Sequence, residues 1–206
     1  MPNWCATYIS INGTKEQLDA LNNAIDKATE SNPLNADFGN SWLGNLLLYL
    51  GIDKDEVIYG DIRCRGYISY SEMVLDDDTS QLIINTETAW VPMLKPFLMM
   101  MEKYAPDAEL IYTAEEPGTI VYCTNDPAEY DYIIDFDSTC FDQIPDGFDI
   151  GCNYMNEQTL RQSIIELTDG KEEDSTEELI QIFKKKYQHL SLFVNHYDFV
   201  EADKWN

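Results

Sequence analysis

Apolar and polar positions alternate from Trp4 to Ile11, with Cys5, Thr7, Ile9 and Ile11 on one face and Trp4, Ala6, Tyr8 and Ser10 on the other. A period of two in a β-branched and aromatic run predicts a strand. Asn12-Gly13 ends it. The period then changes. Leu18, Leu21, Ala24, Ile25 and Ala28 recur at helical spacing behind Thr14, which predicts a helix reaching Glu30. Gln17 is its expected capping-box partner and Asn32-Pro33 its stop. Residues 33–60 read as an insertion, with a loop at Phe38–Ser41, a short apolar helix over Ser41–Leu50 closed by Gly51, and a turn or helix over Asp53–Ile58. Trp42, Leu43, Leu46, Leu47 and Leu50 are the buried side of that insertion.

Two runs, Arg65–Leu75 and Gln81–Glu87, predict a hairpin around Asp76–Ser80. Trp90-Val91-Pro92 leads into a helix striped by Phe97, Met101 and Tyr104, with Pro96 confined to its first turn. Glu109–Glu115 and Thr119–Asn125 alternate around Glu116-Pro117-Gly118, and Tyr132–Phe136 is a further short strand. Strand, helix, insertion, hairpin, helix, strands is the βαββαβ order of a ferredoxin-like unit with one or two strands added. The expected class is therefore α+β, an antiparallel sheet with helices on one face. From Ser138 the texture changes. Residues 138–156 are irregular and acidic, and Glu157–Leu167 is a short helix. Ser175 and Glu178 box the start of another helix, which Lys184, Lys185 and Lys186 end, and Leu190–Val200 is a last strand. The expected division is a ferredoxin-like domain over 1–137, with its helical insertion at about 33–60, and a C-terminal α/β extension over 138–206 packed on it.

Composition supports a folded chain. Of its 206 residues 44% are apolar, enough for a packed core, and 12% are aromatic, which disordered chains are not. Charge is what narrows function. A net charge of −25 repels phosphate and anionic lipid, so direct nucleic-acid and membrane binding are not expected. It favours basic protein surfaces or cations. The five cysteines, Cys5, Cys64, Cys123, Cys140 and Cys152, are odd in number and form no Cys-x-x-Cys pair. They read as free thiols of a reducing compartment. The N-terminus has no basic region or apolar run of a secretory signal, and the longest apolar patch, Leu46–Leu50, is too short to span a bilayer. A cytoplasmic protein is the expectation.

Met1-Pro2-Asn3-Trp4-Cys5, the Ile11-Asn12-Gly13 turn, Trp90-Val91-Pro92 and Glu116-Pro117-Gly118 together resemble the YubB-like family of small plasmid- and phage-associated proteins with a ferredoxin-like domain. Those proteins open with Met-x-Asn-Trp-Cys and carry a Trp-x-Pro approach to the second helix and a Glu-x-Gly turn. The resemblance spans roughly residues 1–125; Ala6 stands where the family usually has Asn, and the region from 138 is not covered. It implies the fold and a mobile-element setting. The family has no established activity, so no catalytic residue is carried over.

The chemistry-bearing feature is a charge desert. From Tyr104 to Leu160 there is no Lys or Arg, while the stretch holds thirteen carboxylates. Asp126, Glu129, Asp131, Asp135, Asp137, Asp142, Asp146 and Asp149 crowd within it, and Asp131, Asp135 and Asp137 share strand parity, which lets them line one exposed face. A solvated acidic face and a surface for a basic partner are the two readings. A phosphate-mimicking array is a special case of the second. Asp76, Asp78, Ser80 and Glu87 echo a calcium loop, but Gln81 occupies the glycine position and the flanks are strands, so a hairpin is expected. His189 and His196, seven apart on one strand, face opposite sides, and the cysteines lack zinc spacing. No Gly-x-Ser-x-Gly or Cys–His pairing is visible, and Cys5 reads as a small buried hydrophobe. The sequence thus points to a non-enzymatic acidic interaction protein with a basic protein partner, no cofactor and no metal site. The alternative is a metal-dependent binder or enzyme using carboxylates of the 126–149 region.

Overall fold

Strand β1 (Trp4–Gly13) pairs antiparallel on both sides, with β3 (Ser80–Ala89) and with β4 (Glu109–Glu116). Its backbone polar groups are therefore satisfied in ladders, and its side chains alone decide what each face does. Cys5, Thr7, Ile9 and Ile11 are buried while Trp4, Ala6 and Tyr8 are exposed, as the alternation predicts; Ser10 of the second face departs from it and is buried, its hydroxyl accepting from Gln81 Nε2 at 2.5 Å. The computed structural model describes residues 3–30, 38–62, 64–75, 80–126, 130–136, 143–149 and 151–205.

Helix α1 (Lys15–Thr29) buries Leu18, Leu21, Ala24, Ile25 and Ala28. The Thr14 hydroxyl accepts from Gln17 N–H, but the Gln17 side chain donates to Asp107 at 3.1 Å, so only half of the expected capping box forms. The insertion supplies α2 (Gly44–Tyr49) and α3 (Lys54–Tyr59), and Trp42, Leu43, Leu46 and Leu47 enter the same core as α1. Helix α4 (Lys95–Tyr104) adds Phe97, Met100 and Met101, with Pro96 in its first turn. Those helices lie on the face of the sheet that carries Ile9, Leu82, Ile84 and Tyr112. Among the described residues, no helix of this core lies against the other face.

The class is mixed α+β, as expected. The sheet is wider than the four strands of the expected unit. Strand β2 (Gly66–Leu75) flanks β3, and β5 (Val121–Thr124) and then β9 (Asp198–Phe199) extend it beyond β4, giving the order β2-β3-β1-β4-β5-β9. The hairpin strands β2 and β3 are present, and their expected turn at 76–79 lies outside the described residues.

The expected boundary near 137 moves. The chain forms two units, Met1–Asp126 with Phe199–Asn206, and Pro127–Asp198. The reason is pairing. Strand β6 (Tyr132–Phe136), expected to extend the first sheet, is the centre of a second one, between β7 (Gly151–Met155) and β8 (Leu192–His196). Strand β7 lies in the stretch expected to be irregular. The expected strand Leu190–Val200 is broken at buried Tyr197, whose N–H donates to the Asp131 carbonyl at 2.8 Å, and its two pieces join different sheets. The strand also begins later than expected, at Leu192, so His189 sits in a turn outside it. After the break, the tail returns to the first unit. Val200 N–H donates to Thr124 O, and buried Tyr112 donates to Val200 O at 2.8 Å and accepts from Trp205 Nε1 at 2.5 Å.

In the second unit, Tyr132, Ile134 and Phe136 face α5 (Glu157–Leu167) and α6 (Thr176–Lys186), meeting Leu160, Ile164, Leu179 and Phe183. The Ser175–Glu178 capping box is complete. Arg161 ties the connection between the helices, donating to Thr176 Oγ1 and to the carbonyls of Glu172 and Asp174 at 2.8–3.0 Å.

Phe183 is fully buried and its ring meets Phe136, Phe148 and Tyr187. Truncation to Ala is expected to cost about 3–5 kcal/mol and to speed amide exchange along β6 and β8. Unchanged exchange at those amides in a hydrogen–deuterium experiment would show that this ring does not hold the second core.

Candidate functional site

Among the eight carboxylates expected to form a partner surface, Asp126, Asp131, Asp135, Asp146 and Asp149 are described, while Glu129, Asp137 and Asp142 lie outside the described residues. The described ones occupy positions of different kinds. Asp131 precedes β6 and is structural: its carboxylate accepts from Glu157 N–H at 2.7 Å, at the start of α5. Asn156 caps the same end, accepting from Thr159 N–H at 2.8 Å. A carboxylate there satisfies an orphan donor and meets the positive end of the helix dipole. Asp135 is half-buried in β6 between Cys152 and Phe193. Asp146 and Asp149 are exposed in the loop before β7, where Asp149 exchanges backbone hydrogen bonds with the Asn153 side chain. Asp126 follows β5, its N–H donating to Thr124 Oγ1 at 3.0 Å.

Three of the four segments that carry the family resemblance, around Asn3, Trp90 and Glu116, meet at one end of the first sheet, while Ile11-Asn12-Gly13 lies at the other end of β1. Trp90 N–H donates to Asn3 O at 2.9 Å, with Trp90 held at φ 68, a conformation uncommon for a bulky residue. The Thr88 hydroxyl donates to Val91 O at 2.7 Å. Glu116, at the end of β4, is only 2% exposed. It accepts from Gly118 N–H at 2.8 Å, from Thr119 N–H at 2.5 Å and from the Thr119 hydroxyl. Burial pushes its pKa up, but the Thr119 hydroxyl, the two backbone N–H groups and the Asn3 side chain outweigh that, and hold it below the usual glutamate value. A Cβ at Gly118 would stand 2.3 Å from Asn3 Nδ2, so a side chain there would displace the Asn3 amide. This carboxylate is a clasp joining the chain start to a turn.

The thiols of Cys5 and Cys64 offer little reactivity. Burial pushes Cys5 up to about 11 and Cys64 up to about 12, far from a thiolate at neutral pH. Cys152 is exposed, and Cys140 lies outside the described residues. No group of three or more His, Cys, Asp or Glu among the described residues is arranged to hold a metal ion. No helix among them is long and apolar enough to cross a membrane.

What the sequence reading passed over is the uncovered face of the first sheet. The register brings Trp4, Ala6 and Tyr8 of β1 beside Ala89, Glu87 and Asn85 of β3. On the far side of β3, Tyr67 stands opposite Glu87 and Tyr70 opposite Asn85. Strict alternation would put Tyr67 and Tyr70 on opposite faces. A register shift between Ile68 and Tyr70 places both on this one, while Ile68 packs into the core. On the other side of β1, Glu115 stands opposite Ala6 and Thr113 opposite Tyr8. Trp4, Tyr8 and Tyr70 are 46%, 45% and 47% exposed. Trp4 packs edge-on to Tyr67 at 5.7 Å, and the Tyr67 hydroxyl donates to Glu87 Oε2 at 2.5 Å. That bond to Glu87 pushes the Tyr67 pKa up. The available sequence signal was the outward set Trp4, Ala6 and Tyr8. The bulge had no signal.

No family model matches the chain, and no curated protein matches it. Among solved structures, one described as an unknown protein from Galdieria sulphuraria is similar over 94% of this chain and 98% of its own, at 7% identity and a TM-score of 0.28. A likeness of that degree carries no argument.

The Glu116 clasp makes a pH prediction. A carboxylate held below its unfolded pKa contributes stability above the unfolded value and loses it as pH falls through the folded one. Melting curves should therefore place wild type above Glu116→Gln near about pH 7, with the gap closing below about pH 4 as wild type protonates. A gap that does not change with pH would show that Glu116 acts by shape alone.

Proposed function

We propose that this chain is a non-enzymatic binding protein that takes a basic protein partner, with acidic residues of the 126–149 region among its contacts. One observation carries the reading: 38 acidic residues face 13 basic ones, and none of the basic ones falls between Tyr104 and Leu160. The lysine ion pairs found among the described residues are local and exposed, Lys15–Asp19, Lys171–Glu173 and Lys204–Asp203, and His196 Nδ1 lies 3.6 Å from Asp198. They do not take in Asp135, Asp146 or Asp149. A cationic surface relieves the self-repulsion of such a chain and is steered to it from a distance. The raised thiols of Cys5 and Cys64 agree with a role outside nucleophilic chemistry.

For the fold, the reading is that β2-β3-β1-β4 with α1 and α4 is a ferredoxin-like unit, widened by β5 and β9. The antiparallel neighbours of β1 and the helices on one face support it. The YubB-like resemblance extends the proposal to a mobile-element setting. It is supported by the meeting of Asn3, Trp90 and Glu116.

Titration of the full chain with a synthetic Arg- and Lys-rich peptide tests the function. Binding should be clear at low ionic strength and fall steeply as salt is raised. Joint replacement of Asp135, Asp146 and Asp149 by Asn should weaken it about tenfold. Absence of binding at low salt, or binding indifferent to salt, overturns the reading. An unaltered affinity in the triple variant removes the 126–149 region from it.

A further inference from the structure

We propose that the uncovered face of the first sheet docks an arginine-bearing segment of the basic partner, with a guanidinium seated over Glu87 and Asn85 among the rings of Trp4, Tyr8, Tyr67 and Tyr70. This rests on the reading of the chain as a binder of a basic protein and states where and by what chemistry it binds.

Two independent properties of the face call for the same group. The first is the rings. Exposed aromatics scattered singly are ordinary on a surface, but these stand in one block fixed by strand register, around a single carboxylate. Guanidinium planes stack on such rings. The second is charge. Glu87 sits inside the block, with Glu115 and Glu72 on the same face to either side, and the face residues of β1 to β5 include no Lys or Arg. The nearest cation along the chain is Arg65, just before β2, and its guanidinium lies over the Trp90 ring at 5.5 Å from the centroid.

A guanidinium answers all of this at once. It is flat, carries five donors and no acceptor, and matches a carboxylate in a fork. A lysine ammonium is a hydrated point charge and uses the rings less well. A phosphate backbone is repelled by Glu72, Glu87 and Glu115. The small side chain of Ala6, exposed beside Glu87 and between Trp4 and Tyr8 along β1, leaves room above the strand for the incoming group.

The test is binding of a fluorescent alternating Arg-Ser peptide to the full chain, beside the same peptide with Lys for Arg. Wild type should prefer the Arg peptide. Glu87→Gln should weaken it about tenfold, Tyr8→Ala about threefold, and Ala6→Arg should abolish it by placing the chain's own guanidinium there. Circular dichroism reports folding. Should Glu87→Gln fail to fold for want of the Tyr67 bond, Ala6→Arg at its exposed position decides the matter. If wild type binds with the expected salt dependence but Glu87→Gln and Ala6→Arg bind as it does, this face is not the dock, and the basic-partner reading stands without it. If neither peptide binds wild type at low salt, both fall.

Discussion

The pairing of β1 on both of its sides is the constraint on which the first unit depends. With β3 on one flank and β4 on the other, the strand cannot shift its register without breaking two ladders. A slip of one residue would turn Cys5, Ile9 and Ile11 to solvent and drive Trp4 and Tyr8 into the helices. The core therefore fixes the outer face as firmly as the inner one. The start of the strand is fixed too, since Asn3 is held by Trp90 through its carbonyl and reached by Glu116 through its side chain. The motifs around Asn3, Trp90 and Glu116 are, in space, the fastening of that strand's first residues.

Most elements of the first unit were legible because local pattern and tertiary demand agree there. Ile9, Leu18, Leu46 and Phe97 lie on the faces that their periodicity assigns, and all enter one core. Legibility failed where pattern was weak or where a break carried no punctuation. Strand β7 has half-buried and exposed positions only, so no apolar face announces it. The turn at Tyr197 contains neither Gly nor Pro, and the run from Leu192 to Phe199 reads as one strand although its halves lie in different sheets. The returning tail could not be foreseen, because its partner Tyr112 gives no sequence mark of the bonds it makes to Val200 and Trp205.

The acidic stretch shows a second limit. Parity along Asp131, Asp135 and Asp137 suggested one carboxylate face, yet parity says nothing of where a strand begins. Asp131 lies one residue outside β6, and there its cheapest service is to the N–H groups at the start of α5. Composition identified an excess of acid, but only the backbone separates a carboxylate spent on folding from one left for a partner. Glu116 is the same lesson in the other unit: it belongs to the acidic count, and it is consumed by Gly118, Thr119 and Asn3.

This distinction bears on where recognition can be sharp. Loop carboxylates such as Asp146 and Asp149 add long-range attraction, which sets encounter rate more than affinity. A side chain on a paired strand is already ordered before a partner arrives, and an aromatic one loses few torsions on contact. Tyr67 further orients Glu87 by donating to it, and Trp4 braces Tyr67 from the next strand but one. The face is thus preorganised by the same ladders that stabilise the unit. In the binding mode proposed above, long-range charge from the whole surface and short-range fit on the sheet would divide the work. The acidity read from composition would draw a basic chain in, and the register of β1, β3 and β2 would decide which of its side chains is held.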